Sequence, residues 1–206
     1  FDIRNETDDT KAIDLSVDII KPDGKMIKNL GDKKLSLKEK TTVKEKFASA
    51  WDDPELWDVG KPNLYFIRFR ISENGRLAYE RQERFGFREF WIDGPFFYLN
   101  GKRITFRGDW VHLFWSGCPA EMYPEYMRLV IKHMKDLNFQ GTRFSAADSP
   151  EWLLDMLDEA GLPIIATGIT PNYYGLPHPK RMNEILEQTR EWIRRHNFVN
   201  IGALLI

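Results

Sequence analysis

Cysteine is almost absent from this chain. Cys118 stands alone among 206 residues, which excludes an internal disulfide framework and reads as a loop thiol. No paired His/Cys spacing of the kind that holds structural zinc occurs. Charge of either sign is not in excess: 30 Lys and Arg face 31 Asp and Glu, a formal net charge of −1. That balance gives no reason to expect nucleic acid or an acidic membrane as a partner. No apolar run approaches the roughly 20 residues a membrane-spanning helix requires. The opening FDIRNETDDT reads as an interior strand and turn and lacks the pattern of a signal peptide. Internal repeats and low-complexity tracts are missing as well.

Aromatic residues are plentiful: 14 Phe, 7 Trp and 7 Tyr suit a packed core and equally a sugar-binding surface. Residues 1–88 carry the period-2 signature of strands. Ile13, Leu15, Val17 and Ile19 alternate with Asp14, Ser16 and Asp18, and Tyr65, Ile67, Phe69 and Ile71 alternate with Phe66, Arg68 and Arg70. Pro22-Asp23-Gly24 and Glu73-Asn74-Gly75 supply turns. Between them Leu35, Leu37, Val43 and Phe47 mark inward positions among lysines that discourage edge pairing. Six or seven short strands without a helical stretch predict an immunoglobulin-like β-sandwich.

After about residue 102 the rhythm changes. A strand is expected at 104–107. A helix near 124–137 follows, with Met127, Val130, Ile131, Met134 and Leu137 on its stripe, and then a strand at 141–145. The next helix should start with Ser149 as N-cap and Pro150 at its first position, and end at Gly161. A strand at 162–166 leads to a third helix along Met182, Ile185, Leu186, Thr189, Trp192 and Ile193. Residues 201–206 read as a buried parallel strand. Four strands alternating with three helices give βαβαβαβ, the pattern of a parallel sheet or barrel. Closing a barrel requires about eight such strands. The expectation is therefore half a barrel, with a small open α/β domain as the alternative.

The segment 85–112, FGFREFWIDGPFFYLNGKRITFRGDWVH, joins the two patterns through the turn signals Asp93-Gly94-Pro95 and Asn100-Gly101. It resembles the junction of family 2 glycoside hydrolases, the β-galactosidase, β-glucuronidase and β-mannosidase group. There a phrase close to "FGFR…F.LNGK.I..RG…H" leads from an immunoglobulin-like sandwich into a (β/α)8 barrel. Pro54-Glu55-Leu56-Trp57 and Pro62-Asn63-Leu64-Tyr65 resemble the "P.LW…P.LY" stretch of the same family. The implied fold is an immunoglobulin-like β-sandwich over 1–88 followed by a partial (β/α)8 TIM barrel over 89–206, with four strands and three helices.

The resemblance also implies where chemistry sits. Reactive groups of such barrels line the carboxyl ends of the strands, here 108–117, 145–149 and 167–175. His112 matches the histidine closing "RG…H", which contacts sugar hydroxyls in the family. Arg143 matches the arginine of "N.VR.SH" and would form the site floor, where a buried cation needs a carboxylate partner. Trp110 and Trp115, with Phe114, could wall the site, because flat rings stack on the C–H faces of sugars; packing beneath neighbouring loops is the alternative. Departures are equally informative. Ala146, Ala147 and Asp148 replace the family's His, Tyr and Pro, and Ala166-Thr167 stands where Asp-Glu often ends the third strand. The stretch 169–173 offers no carboxylate for the magnesium of the metal-dependent branch, so no metal site is expected.

Residues 195–201 resemble "R.NHPSI", the entry to strand four. That strand leads in the family to Trp and then Asn-Glu, whose Glu is the general acid/base; Leu204 occupies the Trp position. Retaining hydrolysis needs two carboxyl groups about 5 to 5.5 Å apart. No catalytic residue is assigned within this chain: Asp155, Asp158 and Glu159 belong to the second helix and are expected to face solvent or its partners, and Asp148 alone makes no pair. The expected function is a fragment, inactive alone, of a retaining exo-acting β-glycosidase of β-galactosidase-like type, acting on terminal β-linked sugars without a cofactor. The alternative is a non-catalytic carbohydrate-binding or scaffold module. Either would expose an unpaired strand edge of the half-barrel, through which a homodimer, or poor solubility in isolation, is expected.

Overall fold

A computed structural model of the chain describes residues 1–109, 123–145, 150–167, 179–199 and 203–205. It divides into two compact units. The first is Phe1–Pro54 with Leu64–Phe85; the second is Glu55–Asn63 with Gly86–Ile206.

The first unit is a β-sandwich start. Strands β1 (Asp2–Arg4), β2 (Lys11–Ile20), β3 (Met26–Leu37), β4 (Thr42–Lys44), β5 (Tyr65–Glu73) and β6 (Arg76–Phe85) form a four-stranded antiparallel sheet in the order β3-β2-β5-β6 and a two-stranded sheet β1-β4. Period-2 alternation turns Ile13, Leu15 and Val17 to one face of β2. There they meet Ile3 of β1, Leu37 of β3 and the half-buried Val43, Phe47, Ile67, Phe69 and Ile71 in one core. These are the inward positions the sequence pattern predicts. The opposite face of β2 holds Asp18, whose side chain is 1% exposed. Its Oδ2 accepts Arg70 Nη2 at 2.6 Å and Arg68 Nη2 at 3.0 Å, and its Oδ1 accepts Asn29 Nδ2 at 3.1 Å. Burial alone pushes the Asp18 carboxyl up; the bonds from Arg68 and Asn29 and the charges of Arg70 and Arg68 outweigh it and hold the group below the usual range.

The second unit opens with a meander, β7 (Phe90–Asp93), β8 (Phe96–Leu99) and β9 (Lys102–Ile104), in that spatial order. Both Asn100 and Gly101 have positive φ, 50° and 78°, as a tight hairpin turn demands. Three helices and three strands follow: α1 (Pro124–Asp136), β10 (Thr142–Ser145), α2 (Glu151–Ala160), β11 (Ile164–Thr167), α3 (Pro179–Val199) and β12 (Ala203–Leu205). The strands are parallel, ordered β10-β11-β12. Met127, Ile131 and Met134 of α1 pack against Leu153, Leu154 and Leu157 of α2 and Ile164 of β11; Trp192 of α3 adds a partly buried ring.

Several expectations meet corrections here. The strand expected at 104–107 is instead β9, which ends at Ile104 and pairs antiparallel with β8, so the described residues hold three parallel strands rather than four. The Asn100-Gly101 hairpin causes this, because it folds the chain back onto its predecessor. Pro150, with φ −65° and ψ 147°, stands at the N-cap of α2 rather than inside it, and Ser149 lies outside the described residues. Leu137 follows α1 and is 70% exposed, while Met182, Leu186 and Ile193 of α3 are also exposed.

Of the two placements expected for Asp158, the structure shows the one against the partners of α2: the residue is 1% exposed. Residues Glu55–Asn63 explain the burial. Trp57 is fully buried and donates its indole N–H to the Asp158 carbonyl at 2.8 Å; its backbone N–H donates to Phe87 O at 2.8 Å. Asn100 Nδ2 donates to Trp57 O at 2.9 Å, so the hairpin turn and the Trp57 segment hold each other. Gly161, with φ 69°, ends α2, and its carbonyl accepts the Gly60 amide at 3.1 Å. A Cβ on Gly161 would lie 2.8 Å from Gly60 N, so both the conformation and the approach require glycine. Nearby, burial lowers the pKa of the Arg88 guanidinium and the charge of Asp158 raises it, with burial the larger effect.

Candidate functional site

The candidate site starts from backbone packing. Residues 107–109 leave the meander and run beside the entry to β10: Gln140 N–H donates to Arg107 O at 2.8 Å, and the Thr142 hydroxyl to Asp109 O at 2.8 Å. Arg143 N–H reaches the same Asp109 carbonyl at 3.3 Å. On its other side β10 is held by Thr142 N–H donating to Pro163 O at 3.0 Å and by the ladder to β11. Two glycines permit this approach. A Cβ on Gly108 would stand 1.8 Å from Gly141 O, and one on Gly141 would stand 2.4 Å from the Phe106 ring. Backbone therefore meets backbone where any side chain would force the segments apart.

The result is a cleft of about 220 Å³ lined by Phe106, Gly108 and Asp109 on one side and Gly141, Thr142, Arg143 and Ile165 on the other. Arg143 is exposed there. Its guanidinium offers five donors in a fixed fork, a geometry suited to holding a carboxylate or several hydroxyl oxygens. Asp109 is the carboxylate that shares this cleft with it among the described residues. Arg143 and Asp109 both make interactions with their surroundings. The apolar parts, Phe106 and Ile165, give its floor a low-dielectric wall against which polar contacts gain strength.

Of the residues singled out from sequence, the structure places Arg143 in this cleft. Trp110, His112 and Trp115 lie outside the described residues, as do Phe114, Ala146, Ala147, Asp148 and the stretch 169–173. Asp109 is the residue sequence reasoning passed over. Its signal was position alone: it follows Arg107-Gly108 inside the phrase that ends at His112. Asp18, buried in the sandwich, is paired with Arg68 and Arg70, and Asp158, buried in α2, interacts with the charge of Arg88, which fits structural roles for both. Among the described residues no three His, Cys, Asp or Glu side chains come together as a metal site. No helix of the described residues is long and apolar enough to cross a membrane.

Comparison with known proteins adds to this geometry. Residues 1–88 match the family model of glycosyl hydrolases family 2. A beta-galactosidase of Lactobacillus delbrueckii subsp. bulgaricus is 34% identical over 109 residues, which cover 53% of this chain and 11% of that protein. A beta-galactosidase of Thermoanaerobacterium thermosulfurigenes is 31% identical over 147 residues, covering 69% of this chain and 20% of that protein. The crystal structure of Bacteroides uniformis beta-glucuronidase superimposes with a TM-score of 0.75 at 25% identity, covering 98% of this chain and 24% of the other. The chain spans a fifth or less of the length of the curated relatives it matches.

Proposed function

Because the chain belongs to glycosyl hydrolases family 2, we propose that it is part of a longer retaining β-glycosidase, contributing the sandwich and the first portion of the catalytic barrel. The division at about residue 88 and the half-barrel reading of residues 89–206 rest on the alternation of α1, α2 and α3 with the parallel strands β10, β11 and β12. The substrate is a terminal β-linked sugar. Relatives named beta-galactosidase and beta-glucuronidase leave the sugar open between a neutral hexose and a uronate.

The observation that carries the reading is the Arg143 cleft. An arginine at the head of a parallel strand, beside Asp109 and over a glycine-on-glycine backbone contact, is built to hold oxygen atoms in a fixed orientation. In this role Arg143 forms the floor, while Trp110, His112 and Trp115 supply the wall and a hydroxyl contact. The two carboxyl groups that retaining chemistry needs, one to protonate the leaving oxygen and one to attack, are supplied by the rest of the longer protein. The chain alone is therefore inactive.

The test uses the longer protein with nitrophenyl β-galactoside and β-glucuronide. Arg143→Ala should lower kcat/KM by about 100-fold, the loss associated with removing one oriented donor. Arg143→Lys should recover little, because a point charge does not reproduce the fork. Retention of configuration is read from the first-formed anomer by NMR. A folded Arg143→Ala variant with unchanged kcat/KM, or an inverted product, would overturn the proposal.

A further inference from the structure

The two Asn-Gly pairs of the chain, Asn74-Gly75 and Asn100-Gly101, both form two-residue hairpin turns and share one backbone shape. Their φ angles are 51° and 75° in the first and 50° and 78° in the second. The first turn joins β5 to β6 across the pair Glu73↔Arg76, and the second joins β8 to β9 across Leu99↔Lys102. In neither does the glycine N–H donate a backbone bond among the described residues. Backbone geometry therefore puts the two asparagines on an equal footing. What differs between them is the state of the side chain.

Asn100 is half-buried and held at both ends of its amide: Nδ2 donates to Trp57 O at 2.9 Å, and Oδ1 accepts Glu89 N–H at 3.0 Å. Asn74 is exposed at its hairpin tip, and its side chain makes no hydrogen bond among the described residues. A glycine that follows an asparagine carries no Cβ to shield its amide nitrogen, so that nitrogen can approach the asparagine side chain. Whether it does so depends on the freedom of the side-chain carbon to turn toward it. Asn74 has that freedom and Asn100 does not.

We propose that Asn74 is a site of spontaneous covalent modification, deamidation through a cyclic imide, and that the bonds tying Asn100 to Trp57 and Glu89 protect it from the same reaction. The Gly75 amide nitrogen attacks Asn74 Cγ and forms a C–N bond. The Cγ–Nδ2 bond breaks, and the Nδ2 group leaves as ammonia with the proton from Gly75. Water then adds to one carbonyl of the ring. Opening at Cγ gives aspartate; opening at the main-chain carbonyl gives isoaspartate, whose chain runs through the side-chain carbon. One water is consumed and one ammonia released. Either product sets a new negative charge beside Glu73, whose Oε1 meets Lys11 Nζ at 3.0 Å. Isoaspartate also lengthens the main chain by one carbon at a turn whose register depends on loop length.

The test follows the longer protein at mildly alkaline pH, folded and in parallel unfolded in urea, with peptide mapping by mass spectrometry to score each Asn-Gly pair. In the folded protein Asn74 should convert faster than Asn100 by about tenfold or more, because both Asn100 bonds must open before its amide carbon is reached. In urea the two should convert at similar rates, since each is followed by glycine. Asn74→Gln should remove the first acidic species that isoelectric focusing resolves from the folded protein. Equal rates in the folded protein, or a faster Asn100, overturn the proposal. So does a difference that persists in urea, which would trace it to neighbouring sequence rather than to the held amide.

Discussion

Replacing Trp57 tests how the second unit is held together. The side chain is fully buried, and its indole N–H reaches the Asp158 carbonyl at 2.8 Å across 101 residues of sequence. Truncating a buried Trp to Ala costs about 3–5 kcal/mol in lost burial and cavity. The lost hydrogen bond adds about 0.5–1.5 kcal/mol. The Asp158 carbonyl keeps the Gly161 amide at 3.2 Å, so it is not orphaned and no further penalty applies. Trp57→Ala should therefore destabilise the second unit by about 4–6 kcal/mol, a large part of the 5–15 kcal/mol typical of a domain. Trp57→Phe retains most of the ring contact and should cost about 1–2 kcal/mol. Urea unfolding followed by circular dichroism measures both, with the Phe variant keeping the test readable should the Ala variant not fold. A Trp57→Phe or Trp57→Ala cost below about 0.5 kcal/mol would show that the Trp57 segment is ornament rather than anchor.

The other predictions concern the sandwich and the cleft. Asp18→Asn should destabilise the sandwich by about 3–5 kcal/mol at neutral pH, because Arg68 and Arg70 lose their charge partner. The native Asp18 pKa is lowered, so its stabilisation is complete above the ordinary carboxylate value of about 3.9 and is lost as pH falls through the lower native value. The gap between wild type and variant in a pH series of unfolding curves should therefore shrink in acid; a constant gap would contradict the linkage. Gly141→Ala would place a methyl group 2.4 Å from the Phe106 ring and 3.2 Å from Pro163 O. It should cost about 1–3 kcal/mol by overpacking, read as a lowered unfolding midpoint, and a neutral result would show the glycine contact to be loose.

Much of this architecture was written in local patterns. Alternation at Ile13, Leu15 and Val17 and at Ile67, Phe69 and Ile71 marks the core face, because a strand has only two faces to choose from. Gly161 marks the end of α2 for an equally local reason, its left-handed backbone. What escaped the sequence depends on contacts distant in the chain. The sequence leaves Asp158 open between solvent and a packing partner until Trp57 and Arg88 are brought against α2, and nothing near Pro54 announces that Trp57 packs there. The segment after Ile104 looks like a parallel strand by composition, yet the hairpin claims its first residues for β9. In the site, Arg143 was legible through its motif, whereas Asp109 became visible once residues 107–109 lay beside β10.

The most direct measurement is turnover of nitrophenyl β-galactoside and β-glucuronide by the purified 206-residue chain beside the longer protein. The account predicts hydrolysis by the longer protein and none by the chain, even when circular dichroism shows it folded. Sustained turnover by the folded chain would place an acid/base and a nucleophile within these residues and contradict it.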